Sequence, residues 1–348
     1  MPGQMMAAFL HGVGDLRVET APIPEISEPD QALVRVRAVG ICGSDIHFFE
    51  DGRIGPYVVT QPQVLGHECA GEVVEVGPEV ANVKPGDKVC IEPGIPCRKC
   101  SFCKSGRYNL CDIVPFMGTP PTHGAFREYV VWPADFIFRL PEDASFDEGA
   151  VVEPLAVGVQ ACQRGGVRSG HTVAVIGCGP IGLTAMQAAA GFGATRIIAT
   201  DLMPFRLDMA KRLGADVALN AADADPVEAV KNATNGPGAD VVLETAGTTQ
   251  TVMQACGMVK KGGVVVLVGM HRVDEFPIPV MDMICREYDM RGVFRYCNAF
   301  GPAVAMLSAG RVNLRALITH QFPLAEIGAA FDVAIEQKDK AVKVQVIP

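Results

Sequence analysis

The segment Gly177-x-Gly179-x-x-Gly182 stands between a short apolar run, His171-Thr172-Val173-Ala174-Val175-Ile176, and an apolar, alanine-rich stretch from Ile181 to about Gly191. No other feature of the chain constrains its fold as strongly. The run before the glycines has the length of a strand, the stretch after them has the length of a helix, and the turn between them ties the two into one βα unit. Arg196-Ile197-Ile198-Ala199-Thr200 supplies the next strand, and the rhythm then repeats. A helix is expected from Phe205 to Leu213, a strand at Val241–Glu244, a helix from Thr249 to about Val259 and a strand at Val264–Val268. Such alternation predicts a doubly wound parallel sheet with right-handed crossovers and a ligand crevice at the carboxyl ends of the strands.

Each glycine has a physical task in that setting. The first permits the tight turn, the second lets the backbone approach a pyrophosphate, and the third lets helix and strand pack closely while the helix N-terminus faces negative charge. Asp201 lies nineteen positions beyond Gly182, at the end of the next strand. It is placed to accept hydrogen bonds from both adenosine ribose hydroxyls, and its charge opposes a 2′-phosphate, which favours NAD over NADP. Arg206, five residues on, works against that discrimination. Met270, just past a strand that runs into the crevice, is expected to flank the nicotinamide or to line the site structurally. A strand-to-helix turn without a ligand is the alternative for the whole motif.

The first third of the chain reads differently. Ala32–Val39 and Gly71–Gly77 alternate partly, and Lys84-Pro85-Gly86-Asp87 is a turn before the strand Lys88–Ile91. Residues 7 to about 140 therefore predict an irregular β domain, and the tail from about Val293, ending in the strand Val342–Val346, is expected to rejoin it. The domains are expected at 1–155, with a lobe at about 92–112, then 156–292, then the return segment 293–348. At 348 residues with 49% hydrophobic composition, the chain has material for both cores. Its net charge of −9, with no Lys/Arg run, excludes a nucleic-acid partner, and no apolar stretch of membrane-spanning length occurs. A small metabolite in the cytoplasm is the expected setting.

Twelve cysteines without a secretion signal read as thiols and metal ligands rather than a disulfide framework. Cys97, Cys100, Cys103 and Cys111 form C-x2-C-x2-C-x7-C, whose short spacings let one loop wrap a tetrahedral zinc. An iron–sulfur cluster and a redox-active thiol set are the alternatives. Cys42 followed by His67-Glu68 sets a thiolate, an imidazole and a carboxylate where they can converge on one metal ion, a donor set that suits a zinc with one open position. A buried cysteine and an unrelated histidine are the alternative there. The other seven cysteines default to buried small hydrophobes.

Gly66-His67-Glu68-x-x-Gly71-x5-Gly77-x2-Val80 resembles the zinc alcohol dehydrogenase signature of the medium-chain dehydrogenase/reductase family. The nucleotide motif and the four-cysteine lobe resemble the same family, so the likeness covers nearly the whole chain. Ile41–His47, Val152–Gly158 and Gly292–Asn298 resemble its polyol dehydrogenase members most. The resemblance implies a GroES-like β-rich catalytic domain beside a Rossmann NAD-binding domain, one catalytic and one structural zinc, and a homotetramer. It implies that Cys42, His67 and Glu68 hold the catalytic zinc, with Glu153 bound directly or through water. Ser44 and His47 become a proton relay with Glu153 sharing the task, and Asp45 orients His67. Ser44, Phe48, Phe116, Thr119, Glu153, Arg295 and Tyr296 are implied around the substrate. The implied cofactor contacts are Gly177, Gly179, Pro180, Ile181, Gly182, Asp201, Arg206, Val268, Gly269, Met270, Val293, Phe294 and Arg295.

Close polyol members carry tyrosine where this chain has Phe48, which removes one expected hydroxyl contact. A polyol of the sorbitol, xylitol or L-iditol type is the expected substrate. L-Threonine and vicinal diols are the runners-up, because dehydrogenases for them share the Cys, His-Glu and Glu positions. A zinc-free reductase or a non-catalytic nucleotide-binding protein has no use for an open-site ligand set.

Overall fold

In a computed structural model the chain forms two compact units, Met1–Glu153 with Leu314–Pro348, and Pro154–Asn313. The structure describes residues 3–271, 273 and 275–348, so the first two residues of the expected catalytic domain lie outside the description.

The first unit is built on a seven-stranded, mostly antiparallel sheet. Its middle strand, Gln31–Gly40, pairs with Glu68–Val76 on one side and with the C-terminal strand Lys343–Ile347 on the other. The expected return of the tail is thus a strand added to the first sheet, itself paired in parallel with Ile318–Pro323. Val34, Val36, Val39, Leu65, Phe126, Phe331 and Val346 are buried together beneath it. The turn at Lys84–Asp87 forms as its residues dictate. Asp87 accepts the Lys84 N–H at 3.0 Å, and Gly86 takes φ +91°, which a side chain would strain. A hairpin, Gln4–Gly12 with Asp15–Pro22, flanks this sheet and has no counterpart in the expected strands.

The second unit carries a six-stranded sheet in which every pair is parallel. The order is Val217–Asn220, Arg196–Asp201, Thr172–Ile176, Ala239–Glu244, Val259–Leu267 and Asp289–Gly292. The strand order reverses between Thr172–Ile176 and Ala239–Glu244, which fixes the crevice at the end of Thr172–Ile176, where the glycine motif begins. Strand Val217–Asn220 and helix Pro226–Ala233 are additional to the expected elements. The strand is short and half-buried, whereas the helix carries a readable start, with Asp225 accepting the Val227 N–H at 2.8 Å and Pro226 in the first turn.

The tail leaves the second unit later than expected. Residues 293–313 belong to the second unit, not to the first: the Val293 N–H donates to Leu267 O at 2.9 Å and the Asn313 N–H to Gln187 Oε1 at 2.6 Å. The cause is local, since Val293 continues directly from the edge strand Asp289–Gly292 and the helix Phe300–Ser308 then packs on Pro180–Gly191. No helix among the described residues is long and apolar enough to cross a membrane.

Candidate functional site

The buried centre of the first unit is assembled at the ends of two adjacent strands. Chain leaving Gln31–Gly40 turns through Cys42 into the helix Gly43–Asp51, and Gly66, at φ +89°, delivers His67 and Glu68 into the strand Glu68–Val76. Asp45 locks both of these turns. Its Oδ2 accepts the Cys42 N–H at 2.9 Å and its Oδ1 the Gly66 N–H at 3.0 Å, while His67 Nδ1 stands 3.8 Å from Oδ1, beyond a hydrogen bond. Asp45 therefore acts on the backbones beside the ligands rather than on the His67 ring as expected, because a carboxylate in the first helical turn meets unsatisfied N–H groups first. Burial pushes the Asp45 carboxyl up, against the pull of His67 and the two N–H donors.

Cys42, His67 and Glu68 each offer a ligand atom, and the three atoms lie within 4.8 Å of one another. Glu153, in the first turn of the helix Val152–Gly165, is buried nearby and acts electrostatically on His67 without joining that cluster. Burial pushes the His67 imidazolium down. The Cys42 sulfur, which bonds the ring, and the Asp45 and Glu153 carboxylates outweigh it and raise the ring to about 10. This convergent donor set of thiolate, imidazole and carboxylate is one that zinc takes. Phe116 packs near the centre, its ring 5.4 Å from that of His67 and tilted 56° to it, and the Thr119 N–H donates to Phe116 O at 2.9 Å. Phe48 is buried in the core of the unit.

Two residues that the sequence did not single out complete this centre. Lys343 Nζ donates to Glu68 Oε2 at 2.6 Å, to Oε1 at 2.8 Å and to Ile41 O at 3.1 Å, with both side chains almost fully buried. Burial lowers the Lys343 ammonium, but Glu68 and Cys42 outweigh it and hold the group above its ordinary value. Gly40 makes the contact possible. A Cβ at Gly40 would stand 2.1 Å from Glu68 Oε2.

In the lobe, the sulfurs of Cys97, Cys100, Cys103 and Cys111 also lie within 4.8 Å of one another. Cys97 and Cys103 are 3.9 Å apart and Cys100 and Cys103 3.4 Å, close to the edge of about 3.8 Å that a tetrahedron with zinc–sulfur bonds of about 2.3 Å requires. Backbone N–H groups of Lys99 and Cys100 draw the Cys97 thiol down to about 6. Of the seven cysteines expected to be buried, Cys69, Cys90, Cys162, Cys178 and Cys256 are, but Cys285 is exposed and Cys297 half-buried. Cys285 lies on the short helix Val280–Arg286, which buries none of its residues. Cys297 lies in the turn before Phe300–Ser308, against Gln160 Oε1.

In the second unit the glycine motif has the expected geometry. Gly177 takes φ +90°, and a Cβ at Gly182 would stand 1.8 Å from Gly177 O, so only glycine lets the helix Pro180–Gly191 start this close to the strand. Gly179 precedes that helix, with Pro180 and Ile181 opening it. Asp201 is held in place by the loop itself, its Oδ2 accepting the Cys178 N–H at 2.6 Å and its Oδ1 the Met203 N–H at 2.8 Å. Arg206 Nη1 comes within 3.8 Å of the Cβ position of Gly179. At the end of the strand Val259–Leu267, Val268 and Gly269 both donate N–H bonds to Glu244 O, and Met270 is exposed. The Arg295 guanidinium, on a residue at φ +52°, stacks over the exposed Phe294 ring, whereas Tyr296 is buried against Phe300.

These observations meet the comparisons with known proteins. Residues 28–142 match the model of the alcohol dehydrogenase GroES-like domain and residues 180–309 that of the zinc-binding dehydrogenase domain. The chain belongs to the zinc-dependent medium-chain dehydrogenase family. The sorbitol dehydrogenase of Bacillus subtilis is 43% identical to it over 348 residues, 100% of this chain and 98% of the relative. Among solved structures, L-idonate 5-dehydrogenase from Escherichia coli superposes with a TM-score of 0.91 at 30% identity, covering 100% of this chain and 99% of the other. The 2R,3R-butanediol dehydrogenase of Bacillus subtilis superposes with a TM-score of 0.89 at 32% identity, covering 99% of each chain. The protein is an oxidoreductase of that family, a zinc-dependent alcohol dehydrogenase.

In this dehydrogenase the missed residues carried a signal of a kind that misleads. Lys343 and Gln345 alternate with Val342, Val344 and Val346, which reads as a strand with one solvated face, yet both polar side chains are buried. A lysine on the inner side of a strand is informative only when a buried anion is known to face it.

Proposed function

We propose that this dehydrogenase oxidises a secondary hydroxyl of a polyol of the sorbitol, xylitol or L-iditol type to a ketose, with NAD as hydride acceptor, one zinc at the Cys42 centre and a second in the cysteine lobe. One observation supports the reading above the rest. Cys42, His67 and Glu68 converge, with Glu153 buried beside them, in a chain 43% identical over its full length to a sorbitol dehydrogenase. Cys42, His67 and the neighbouring carboxylates would hold the zinc, whose Lewis acidity would lower the pKa of a substrate hydroxyl toward neutrality. The side chains around it dispose of the proton. Ser44 Oγ, in the first turn of the helix Gly43–Asp51, takes it from the hydroxyl, and His47, three residues on and on the same helical face, passes it outward. His47 Nδ1 lies 3.5 Å from Asp51 Oδ2, whose side chain is exposed, so the relay ends in solvent.

The carbinol carbon gives up hydride to NAD⁺ and the hydroxyl gives up its proton to the relay, so the products are a ketose, NADH and one proton. Arg295 provides a planar fork of N–H donors, which suits a substrate rich in hydroxyls, whereas Tyr296 is buried against Phe300 and is not assigned to it. Phe116 and Thr119 provide the wall beside His67, and Glu153 shares the proton. The Asp201 carboxylate supports NAD over NADP. The acidic balance, a net charge of −9, argues against a nucleic-acid partner, the expected compartment is the cytoplasm, and the family resemblance supports a homotetramer.

The vicinal-diol reading has its own support, because Phe48 replaces a hydroxyl with an apolar ring and a butanediol dehydrogenase is among the similar structures. Initial rates of NADH formation with sorbitol, xylitol, L-iditol, galactitol, 2,3-butanediol and L-threonine, before and after chelation, separate these readings. Chelator-sensitive polyol rates are the expected result. A preference for butanediol or threonine overturns the substrate class and leaves the zinc chemistry.

A further inference from the structure

Glu244 ends the strand Ala239–Glu244 at the carboxyl edge of the parallel sheet, level with Ile176 on one side and Leu267 on the other. Its side chain is fully buried, yet only one carboxylate oxygen is used. Oε1 accepts the Ala246 and Gly247 N–H groups at 2.9 and 2.8 Å and the Thr251 hydroxyl at 2.9 Å. Oε2 has no donor among the described residues, a costly state for a buried carboxylate. His271 Nε2 faces it from 3.6 Å, and both nitrogens of that ring are likewise buried without partners. A charge-assisted bond needs about 2.8 Å, so the two groups stand opposed across a gap that is not closed.

Both flanks of this gap belong to the nucleotide crevice. On the Glu244 side, Thr245 Oγ1 donates to Ile176 O at 2.8 Å and to Gly177 O at 3.0 Å, and a Cβ at Gly177 would stand 3.3 Å from Ala246. The turn that Glu244 Oε1 holds is therefore packed on the first glycine of the motif. On the His271 side, the Val268 and Gly269 N–H groups both donate to Glu244 O, and the His271 ring stacks on Phe276 with centroids 5.0 Å apart. The two segments meet through glycine. A Cβ at Gly269 would stand 2.3 Å from Gly247 N, and one at Gly247 would stand 2.5 Å from Met270 O.

A group bound in the crevice bears on both segments, and the one contact between them still to be made is that of His271 with Glu244. We propose that His271 is a positioning residue for the cofactor, whose Nε2–H closes onto Glu244 Oε2 when the dinucleotide is bound, clamps the segment Val268–His271 to the glycine turn and slows cofactor release. A bond that forms with the cofactor adds to its affinity rather than to the stability of the fold without it. The inference rests on the NAD reading of the crevice and not on the identity of the polyol or on either metal centre.

The test uses the zinc-loaded protein with NADH as the probe. His271→Phe keeps a ring to stack on Phe276 and removes both nitrogens, and His271→Gln keeps an N–H donor. NADH affinity is read by fluorescence titration, release by stopped-flow chase with excess NAD⁺, and Tm by thermal scanning without cofactor. In His271→Phe the NADH Kd is expected to rise about tenfold, the scale of one hydrogen bond to a charged group, with faster release carrying most of the change. The Tm without cofactor moves little, and His271→Gln restores most of the affinity. His271→Leu takes the same measurements if His271→Phe does not fold.

Unchanged NADH affinity in the variants without a donor, a loss of affinity that follows a fall in Tm, or a His271→Gln protein that binds no better than His271→Phe overturns the inference. A wild-type protein that binds NADPH and not NADH overturns the NAD reading alone, and release of NADPH from the same variants then decides the role of His271.

Discussion

In the cysteine lobe all four sulfurs come from fifteen consecutive residues, Cys97 to Cys111, and three of the four are half-buried. The centre at Cys42 draws on residues 42, 67, 68, 153 and 343, spread over three hundred positions, and its His67, Glu68, Glu153 and Lys343 are buried. The lobe is held by a short loop whose own N–H groups bond the sulfurs, as Cys97 N–H does to Cys111 Sγ and Cys100 N–H to Cys97 Sγ. The other centre is held by the sheet. The difference teaches that a metal site can be assembled by local spacing or by strand register, and that in the second kind the core around it sets every group.

The comparison breaks most severely at Cys42. Cys42→Ala is expected to empty the buried centre while leaving the lobe's metal in place, and to lower turnover by on the order of 10³-fold, the loss that several kcal/mol of Lewis-acid stabilisation implies. Metal content and initial rates measured on the same preparation decide it. Undiminished turnover in a protein whose buried centre holds no metal sinks the assignment of chemistry to that centre.

Gly40→Ala strikes the register rather than a ligand. The new Cβ displaces the Glu68 carboxylate from Lys343, and breaking a buried ion pair costs about 3–5 kcal/mol. Gly12→Ala in the same unit, where nothing lies within 4 Å of the Cβ position, is the control and is expected to change stability little. Urea unfolding of the two variants separates them, and equal stability would show that the crossing over Gly40 is not constrained.

Much of this is legible in the sequence and some is not, for reasons that follow the same division. The glycine motif, the parallel alternation and the four-cysteine spacing are local patterns, and the structure reproduces them within a residue or two, as with the helix expected from Ile181 and found at Pro180–Gly191. Cys42, His67 and Glu68 are readable because two of them are adjacent and the third ends a strand. Lys343 and Gly40 are not, since their roles exist only once three strands are paired in one register. The end of the second unit falls at Asn313 instead of the expected Gly292, because the helix Phe300–Ser308 is apolar enough to suit either core. Analogy with ligand-orienting carboxylates points Asp45 at His67, and the helix start claims it instead.

The lobe gives way more gently than the buried centre. Cys103→Ala opens a metal-closed loop of fifteen residues, and a cross-link over that length contributes about 3 kcal/mol. At about 2–4 °C per kcal/mol for a domain of this size, the expected fall in Tm is roughly 6–12 °C, read by thermal scanning with the buried centre's metal retained. Loss of both metals together would show that the two sites are not independent.

The smallest effect concerns the seam between lobe and sheet, where Glu92 is buried and accepts the Tyr108 hydroxyl at 2.7 Å. Tyr108 lies inside the lobe, between Cys103 and Cys111, so this bond ties the loop to the end of the strand Lys88–Ile91. Burial raises the Glu92 carboxyl from its ordinary 4.5 to about 7, against the lowering pull of Tyr108. A folded state that keeps its proton while the unfolded chain releases it loses stability as pH rises between those two values. The loss is about 2 kcal/mol by pH 6 and levels off near 3 kcal/mol above pH 7. Glu92→Gln stays neutral throughout and can still accept from Tyr108, so its stability relative to the wild type should climb by that amount from pH 4.5 to 7. Unfolding free energies measured at half-unit steps of pH test the sign directly. Parallel profiles for the two proteins would mean that Glu92 is ionised in its buried seat, and that the seam holds a charge whose partner is something other than the Tyr108 hydroxyl.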